Sequence, residues 1–280
     1  MIYITEEELD RLIKDDLPYW DITTELLDIK SEAVITISSR KDNCVLCGTE
    51  EASRIAKKLN LDVRYIKPSG SVIKSNEIFF EAFGNAKDVH KAWKVCLNLV
   101  EYMSGIATKT YEMVSRAKKI REDIEVVTTR KLIGFNKSLA IKAIITGGAL
   151  PHRLGLSESV LIFDQHKAFF KTTDDLLTAI KKLKQRAKEQ KISIEVSSLE
   201  EALTFIDVVD MIQFDKLSPD TLEKAVKHIK SIRPDLIILA AGGINISNVE
   251  QYASTGADIL VTSSLYQAPM MDFKADIKPL

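Results

Sequence analysis

The stretch TTRKLIGFNKSLAIKAIITGGALPHRLGL, residues 128–156, gathers Arg130, Lys131, Lys142, His152 and Arg153 around a Gly-Gly pair. A guanidinium is a planar fork that matches carboxylate or phosphate, whereas a lysine ammonium is a movable point charge. The set suits a ligand with more than one anionic group. Arg130 and Arg153 read as binding groups. Lys142, between Ile141 and Ala143, reads instead as a solvent-facing helix residue, and Lys131 carries the same alternative.

Further along, two carboxylates close apolar runs: Glu195 in ISIEV and Asp215 after MIQF. They suit Mg²⁺ held through water against a diphosphate, or stabilisation of a cationic carbon; structural salt bridges with the arginines are an equal alternative. Gly242 and Gly243 in AAGGI, followed by the helical NISNVEQYA, offer backbone amides and a helix start to a phosphate, unless the turn merely needs glycine. VTSSLY places Thr262, Ser263 and Ser264 beside them.

The elements that must hold these residues fall into two parts. TEEELDRLIKDDL is an amphipathic helix behind the N-cap Thr5; AVITISS, LDVRYIK and EIFFEAF read as strands, with the helical TEEASRIAKKLN between the first two. They predict a small α+β, sandwich-like domain over residues 1–105. A helical pattern from Ala86 to about Lys119 has Gly105 as its expected break, which sets the boundary. Over 106–280, IEVVTT, SVLIF, ISIEV, MIQF, LIILA and DILVT alternate with helical sequence, the pattern of parallel βαβ units. An α/β fold with an incomplete (β/α) barrel is expected, its tail returning to the first domain. Polar residues follow almost every strand, and a barrel keeps its active site at those ends.

Composition narrows the function. With 39 Lys plus Arg against 40 Asp plus Glu, no global basic field exists for nucleic acid, so an anion must be bound locally. Apolar runs such as LIILAA are far shorter than the roughly 20 residues of a membrane span, and the acidic start MIYITEEELD is unlike a signal peptide. A cytoplasmic protein is expected. Three cysteines argue against a disulfide framework. The pair in CVLC, Cys44 and Cys47, lacks further ligands at metal spacing and reads as two small apolar residues leading into a helix.

Residues 128–156, with MSGIAT, SLEEAL, QFDKLSP and AAGGINISNVEQYASTGADILVTSS, resemble the nicotinate-nucleotide pyrophosphorylases, or quinolinate phosphoribosyltransferases, nearly end to end. Within them, HKAWKV and ALPHRLGLSES are most similar to the ModD branch found with molybdate transport systems. The resemblance implies a glycosyltransferase of NAD biosynthesis type. A pyridine acid would attack the anomeric carbon of phosphoribosyl pyrophosphate, pyrophosphate would leave with Mg²⁺, and the 2-carboxylate would go as CO₂. It also implies a homodimer with shared active sites, and no nucleic-acid or membrane partner.

By the same resemblance, Arg130, His152 and Arg153 match the binders of the acid, and Lys131 the lysine that meets the donor. Glu195 and Asp215 match the acidic pair near ribose and metal. Gly242, Gly243, Thr262, Ser263 and Ser264 match the 5′-phosphate cradle. Three positions depart: Lys94 stands for the partner subunit's arginine, Phe163 for a lysine, and Trp20 for a glycine. Loss of a buried cation predicts dicarboxylate binding weaker by roughly several kcal/mol. Two other classes remain open: a regulatory anion- or nucleotide-binding protein of molybdate transport, and a Schiff-base aldolase using Lys131.

Overall fold

The computed structural model describes residues 2–132 and 137–280. The chain divides into two compact units: Met1–Tyr111 with Leu132–Gly148 and Tyr266–Leu280, and Glu112–Lys131 with Ala149–Leu265.

The first unit opens with α1 (Glu6–Asp16), started by a capping box in which Thr5 and Glu8 satisfy each other's backbone amides. Then come α2 (Ile22–Leu26), β1 (Glu32–Ser39), β2 (Cys44–Val45), α3 (Thr49–Lys58), β3 (Asp62–Ile66), β4 (Val72–Ile73), β5 (Ile78–Asn85) and α4 (Ala86–Ile120), whose residues from Glu112 on group with the second unit. Ala33, Ile35, Ile37 and Ser39 of β1 are buried and alternate with partly exposed residues, as expected of a strand with one face on a core. The last strand of the chain, β13 (Phe273–Pro279), joins it in a sheet of order β13-β1-β5-β3, with Ile35 opposite Ile277 and Ala82.

α4 is unbroken, contrary to the break expected at Gly105. Gly105 is buried, and a Cβ on it would stand 2.2 Å from the Pro269 carbonyl oxygen. The glycine permits close approach of another backbone rather than ending the helix.

The second unit carries the alternating pattern: β6 (Glu125–Thr128), β7 (Leu150–Pro151), β8 (Val160–Ile162), α6 (Asp164–Lys167), α7 (Thr173–Arg186), β9 (Ile192–Val196), α8 (Leu199–Phe205), β10 (Met211–Asp215), α9 (Pro219–Ile232), β11 (Ile237–Ala241), α10 (Val249–Ala253) and β12 (Ile259–Thr262). The helix between β6 and β7, α5 (Lys137–Thr146), groups with the first unit. The seven strands pair in parallel in the order β7-β6-β12-β11-β10-β9-β8. β7 and β8 follow each other in sequence but occupy opposite edges, so the curled sheet is an incomplete barrel, as the strand pattern predicted. Val127, Met211, Leu239, Ala241 and Val261 fill its inner face. Burying each larger side chain contributes about 1.5–3 kcal/mol, which fixes strand register.

Candidate active site

Strand register decides which residues meet along the carboxyl edge of the parallel sheet. Ile162 pairs with Ile194, Glu195 with Gln213, Asp215 with Ala241, and Thr128 with both Thr262 and Pro151. Phe163, Glu195, Asp215 and Gly242 therefore stand at one end of the sheet, with Ser263, Thr129 and His152 continuing the row. Arg130, Lys131 and Arg153 lie just beyond it.

Arg130 and Arg153 are brought together. Both line an open depression of about 510 Å³ with Phe163, His166 and Ser157. Arg153 is buried, donates to the Ser159 carbonyl at 3.4 Å, and lies 5.9 Å from the Phe163 ring centroid. Burial first, and then the charge of Arg130, pulls its pKa down. Neither arginine forms an ion pair with a carboxylate among the described residues, and Glu158, which lines the same depression, opposes the shift of Arg153 less than burial and Arg130 drive it, so the two guanidiniums leave the depression net positive. Its aromatic wall is Phe163 stacked on His166, centroids 6.0 Å apart, with the Phe163 amide donating to His166 Nδ1 at 3.0 Å. That bond leaves Nε2 to carry the proton in the neutral ring.

His152 sits beside Arg153 in sequence yet lines a second depression of about 450 Å³ against Val127, Met211 and Ile259. Its Nε2 is buried without a hydrogen-bond partner. Burial first, then the charge of Arg153, lowers its pKa, so the ring is neutral at neutral pH. Lys131 is exposed, with its amide 3.3 Å from the Thr129 hydroxyl.

Glu195 accepts from Gln213 Nε2 at 2.6 Å, and Asp215 stands 3.5 Å from Lys216 Nζ. Among the described residues neither carboxylate forms the salt bridge with an arginine that was one reading of this pair. Burial first, then the like charges of Asp215 and Asp164, raises the Glu195 pKa.

Beside Asp215, Gly242 and Gly243 have φ values of 90° and 78°, the left-handed region that favours glycine. A Cβ on Gly242 would come within 2.7 Å of Asp215 Oδ1, whereas the space at Gly243 is open. The expected helix begins only at Val249 and has five residues, so the turn itself would supply the amides. Thr262 spends its hydroxyl internally, donating to the Ile244 carbonyl at 2.6 Å and accepting from the Ser264 amide at 3.0 Å. Ser263 is partly exposed beside it.

Lys94 does not belong to this edge: it is exposed on α4 in the first unit, its Nζ 5.0 Å from the Trp93 ring centroid. Trp20 is likewise exposed in that unit, ahead of Asp21, the N-cap of α2. Lys142 corrects its sequence reading, because it is buried and paired with Glu50 and Glu51 rather than facing solvent. Burial pushes the thiols of Cys44 and Cys47 up to about 11, so both are inert fillers. Sequence reasoning gave His166 no role and missed Gln213. A glutamine inside the apolar run MIQF, where a parallel strand buries both faces, was the available signal.

The profile described as quinolinate phosphoribosyl transferase, C-terminal domain, matches residues 106–276, and the N-terminal domain profile matches 21–104. The chain belongs to the quinolinate phosphoribosyl transferase family. Among members of this family, it is 32% identical over 281 residues to pyrophosphorylase ModD of Pasteurella multocida, covering 99% of each chain. It is 30% identical over 254 residues to a Methanothermobacter thermautotrophicus protein named for carboxylating nicotinate-nucleotide pyrophosphorylase, covering 89% of this chain and 90% of that one. The solved nicotinate-nucleotide pyrophosphorylase of Ehrlichia chaffeensis superposes with a TM-score of 0.86 at 27% identity, covering 99% of this chain and 100% of that one. The quinolinate phosphoribosyl transferase fold is thus the architecture that aligns the strand ends above.

Proposed function

We propose that this protein transfers the phosphoribosyl group of phosphoribosyl pyrophosphate to the ring nitrogen of a carboxylated heterocycle. The nitrogen lone pair forms the bond to the anomeric carbon as the bond to pyrophosphate breaks, and pyrophosphate leaves with that electron pair. Where a 2-carboxylate is present, its C–C bond then breaks, CO₂ departs, and the ring carbon takes a proton. Membership of the family supports the reaction class.

The observation that carries the reading is the pair of guanidiniums, Arg130 and Arg153, which form no carboxylate ion pair among the described residues and open on one depression against an aromatic wall. A flat acid fits both features: its carboxylate takes the guanidinium forks and its ring stacks on Phe163. Glu195 and Asp215 lie where positive charge on the ribose would be stabilised. Gly242, Gly243 and Ser263 would cradle the 5′-phosphate, with Thr262 and Ser264 bracing the loop, while the exposed Lys131 would supply a further donor.

The same carboxylates fit Mg²⁺. No three His, Cys, Asp or Glu side chains among the described residues converge into a cage, and Mg²⁺ ordinarily binds through one or two carboxylates, waters and substrate phosphates. Burial first, and then the like charge of Asp215, raises Glu195, and a bound cation would favour its ionised form. When bound, the ion would neutralise charge on the departing pyrophosphate. A homodimer, with Lys94 entering the site of a second copy, belongs to the same proposal.

The test is pyrophosphate release from phosphoribosyl pyrophosphate and Mg²⁺ with a panel of ring acids, following CO₂ in parallel. Release should require the acid, and Phe163 should make quinolinate a poorer acceptor than a monocarboxylate. Glu195→Ala should lower kcat/KM about a hundredfold or more with an unchanged circular dichroism spectrum. Failure of the protein to bind the donor at all would end the proposal.

A further inference from the structure

Lys216 follows Asp215 at the end of β10 and has a φ of 60°. Side chains with a Cβ are disfavoured there, and Asn and Asp tolerate it best. The other described non-glycine residues with positive φ are Asp28, Asn43, Asn60 and Asn76. Lys216 is the one whose type does not suit its backbone.

The surroundings enforce the conformation. The Lys216 amide donates to the Ala241 carbonyl at 2.8 Å. The next carbonyl, of Leu217, accepts from the Tyr252 hydroxyl at 2.9 Å, and Ser218 then caps α9. Asparagine or glycine would satisfy the same backbone bonds, because none involves the lysine side chain. That side chain is 80% exposed, and its ion pair to Asp215, at 3.5 Å, is of the loose surface kind that adds little stability. Folding therefore gains little from a lysine here and bears its backbone strain. Strain of this kind collects at functional sites.

The side chain also has a defined course. Lys216 Cγ occupies space 2.5 Å from where a Cβ on Gly242 would be, so Gly242 admits both its own turn and the lysine stem. The stem thus passes the Gly242 turn, and the ammonium stands 3.5 Å from Asp215 at the strand-end edge.

Resting on the phosphoribosyl-transfer reading, we propose that Lys216 is a donor-binding residue whose ammonium takes a phosphate oxygen at the glycine turn. Its flexible stem lets it swing from Asp215 to the phosphate, which frees the Asp215 carboxylate.

The experiment titrates wild type, Lys216→Met, Lys216→Arg and Lys216→Gly with ribose 5-phosphate and, separately, with pyrophosphate and Mg²⁺, and measures each Tm. Lys216→Met should weaken one of the two ligands about tenfold or more, and that ligand identifies the phosphate; Lys216→Arg should keep most of the affinity. Lys216→Gly should lose the same affinity yet raise the Tm, because the strain is relieved, an outcome no structural role for the side chain produces. Equal affinities in wild type and Lys216→Met for both ligands would overturn the assignment and leave phosphoribosyl transfer standing. If wild type binds neither these ligands nor phosphoribosyl pyrophosphate, the parent reading falls and takes the assignment with it.

Discussion

Lys142 and Arg153 are both buried cations, with side chain and residue exposures of 4% and 8%, but their surroundings are opposite. Lys142 has Glu51 at 2.6 Å and Glu50 at 3.1 Å. Glu50 in turn accepts from the Ser69 amide at 2.8 Å, and the Ser69 hydroxyl accepts from the Gly48 amide at 3.0 Å. Arg153 has a long bond to one carbonyl, an aromatic ring and a second arginine. In the first region, desolvation is offset inside the protein, so the charges serve folding. In the second it is only partly offset, by Glu158 against burial and Arg130, which is the condition for gaining free energy from an incoming anion.

Substitution should separate the two most sharply. Lys142→Met leaves two carboxylates without their cation and should cost about 3–5 kcal/mol in urea unfolding. Arg153→Met should leave stability unchanged or raised, because a repelled charge leaves the interior, while the acid's affinity falls about tenfold or more. If Arg153→Met unfolds the protein as Lys142→Met does, the contrast collapses.

pH tests the same contrast more gently. Burial opposes both charges of the paired region, but bonds from Glu51 and Glu50 leave Lys142 raised, and bonds from Ser69, with the Lys142 charge, leave Glu50 lowered. Their stabilisation is therefore full between the ordinary carboxylate and lysine values. It is lost as pH falls through the Glu50 value or rises through the Lys142 value. Lys142→Met should flatten both limbs.

In the second region, burial first and then the charge of Asp215 raise Glu195 above its ordinary value. Asp215→Asn removes a like charge and should move the acid limb of residual donor binding to lower pH. The smallest effect belongs to His152, whose lowered pKa means that stability declines as pH falls from its ordinary value, 6.5. His152→Asn should flatten that decline in a pH series of Tm values.

Most elements of the second unit were legible because most strands are short apolar runs and α7, α8 and α9 each start on a side-chain cap, Thr172, Ser198 and Ser218. β7 was not, since two residues ending in proline carry no periodicity, and β13 reads as tail until β1 is there to pair with it. Gly105 looked like a helix break because its partner, Pro269, is remote in sequence. Arg130 and Arg153 could be singled out by residue type, whereas the burial of Lys142 could not: the carboxylates it meets lie about ninety positions away.

The sequence by itself determined the periodicities, the caps, the parallel βαβ class and the kinds of groups at the strand ends, because these depend on residues within a few positions of one another. Tertiary structure alone decided which charges are matched. It divided His152 from Arg153 between two depressions, set Gln213 against Glu195, and held Lys216 in a conformation its own type disfavours. Burial and charge pairing are properties of neighbours in space, and strand register, which no local pattern encodes, chooses those neighbours.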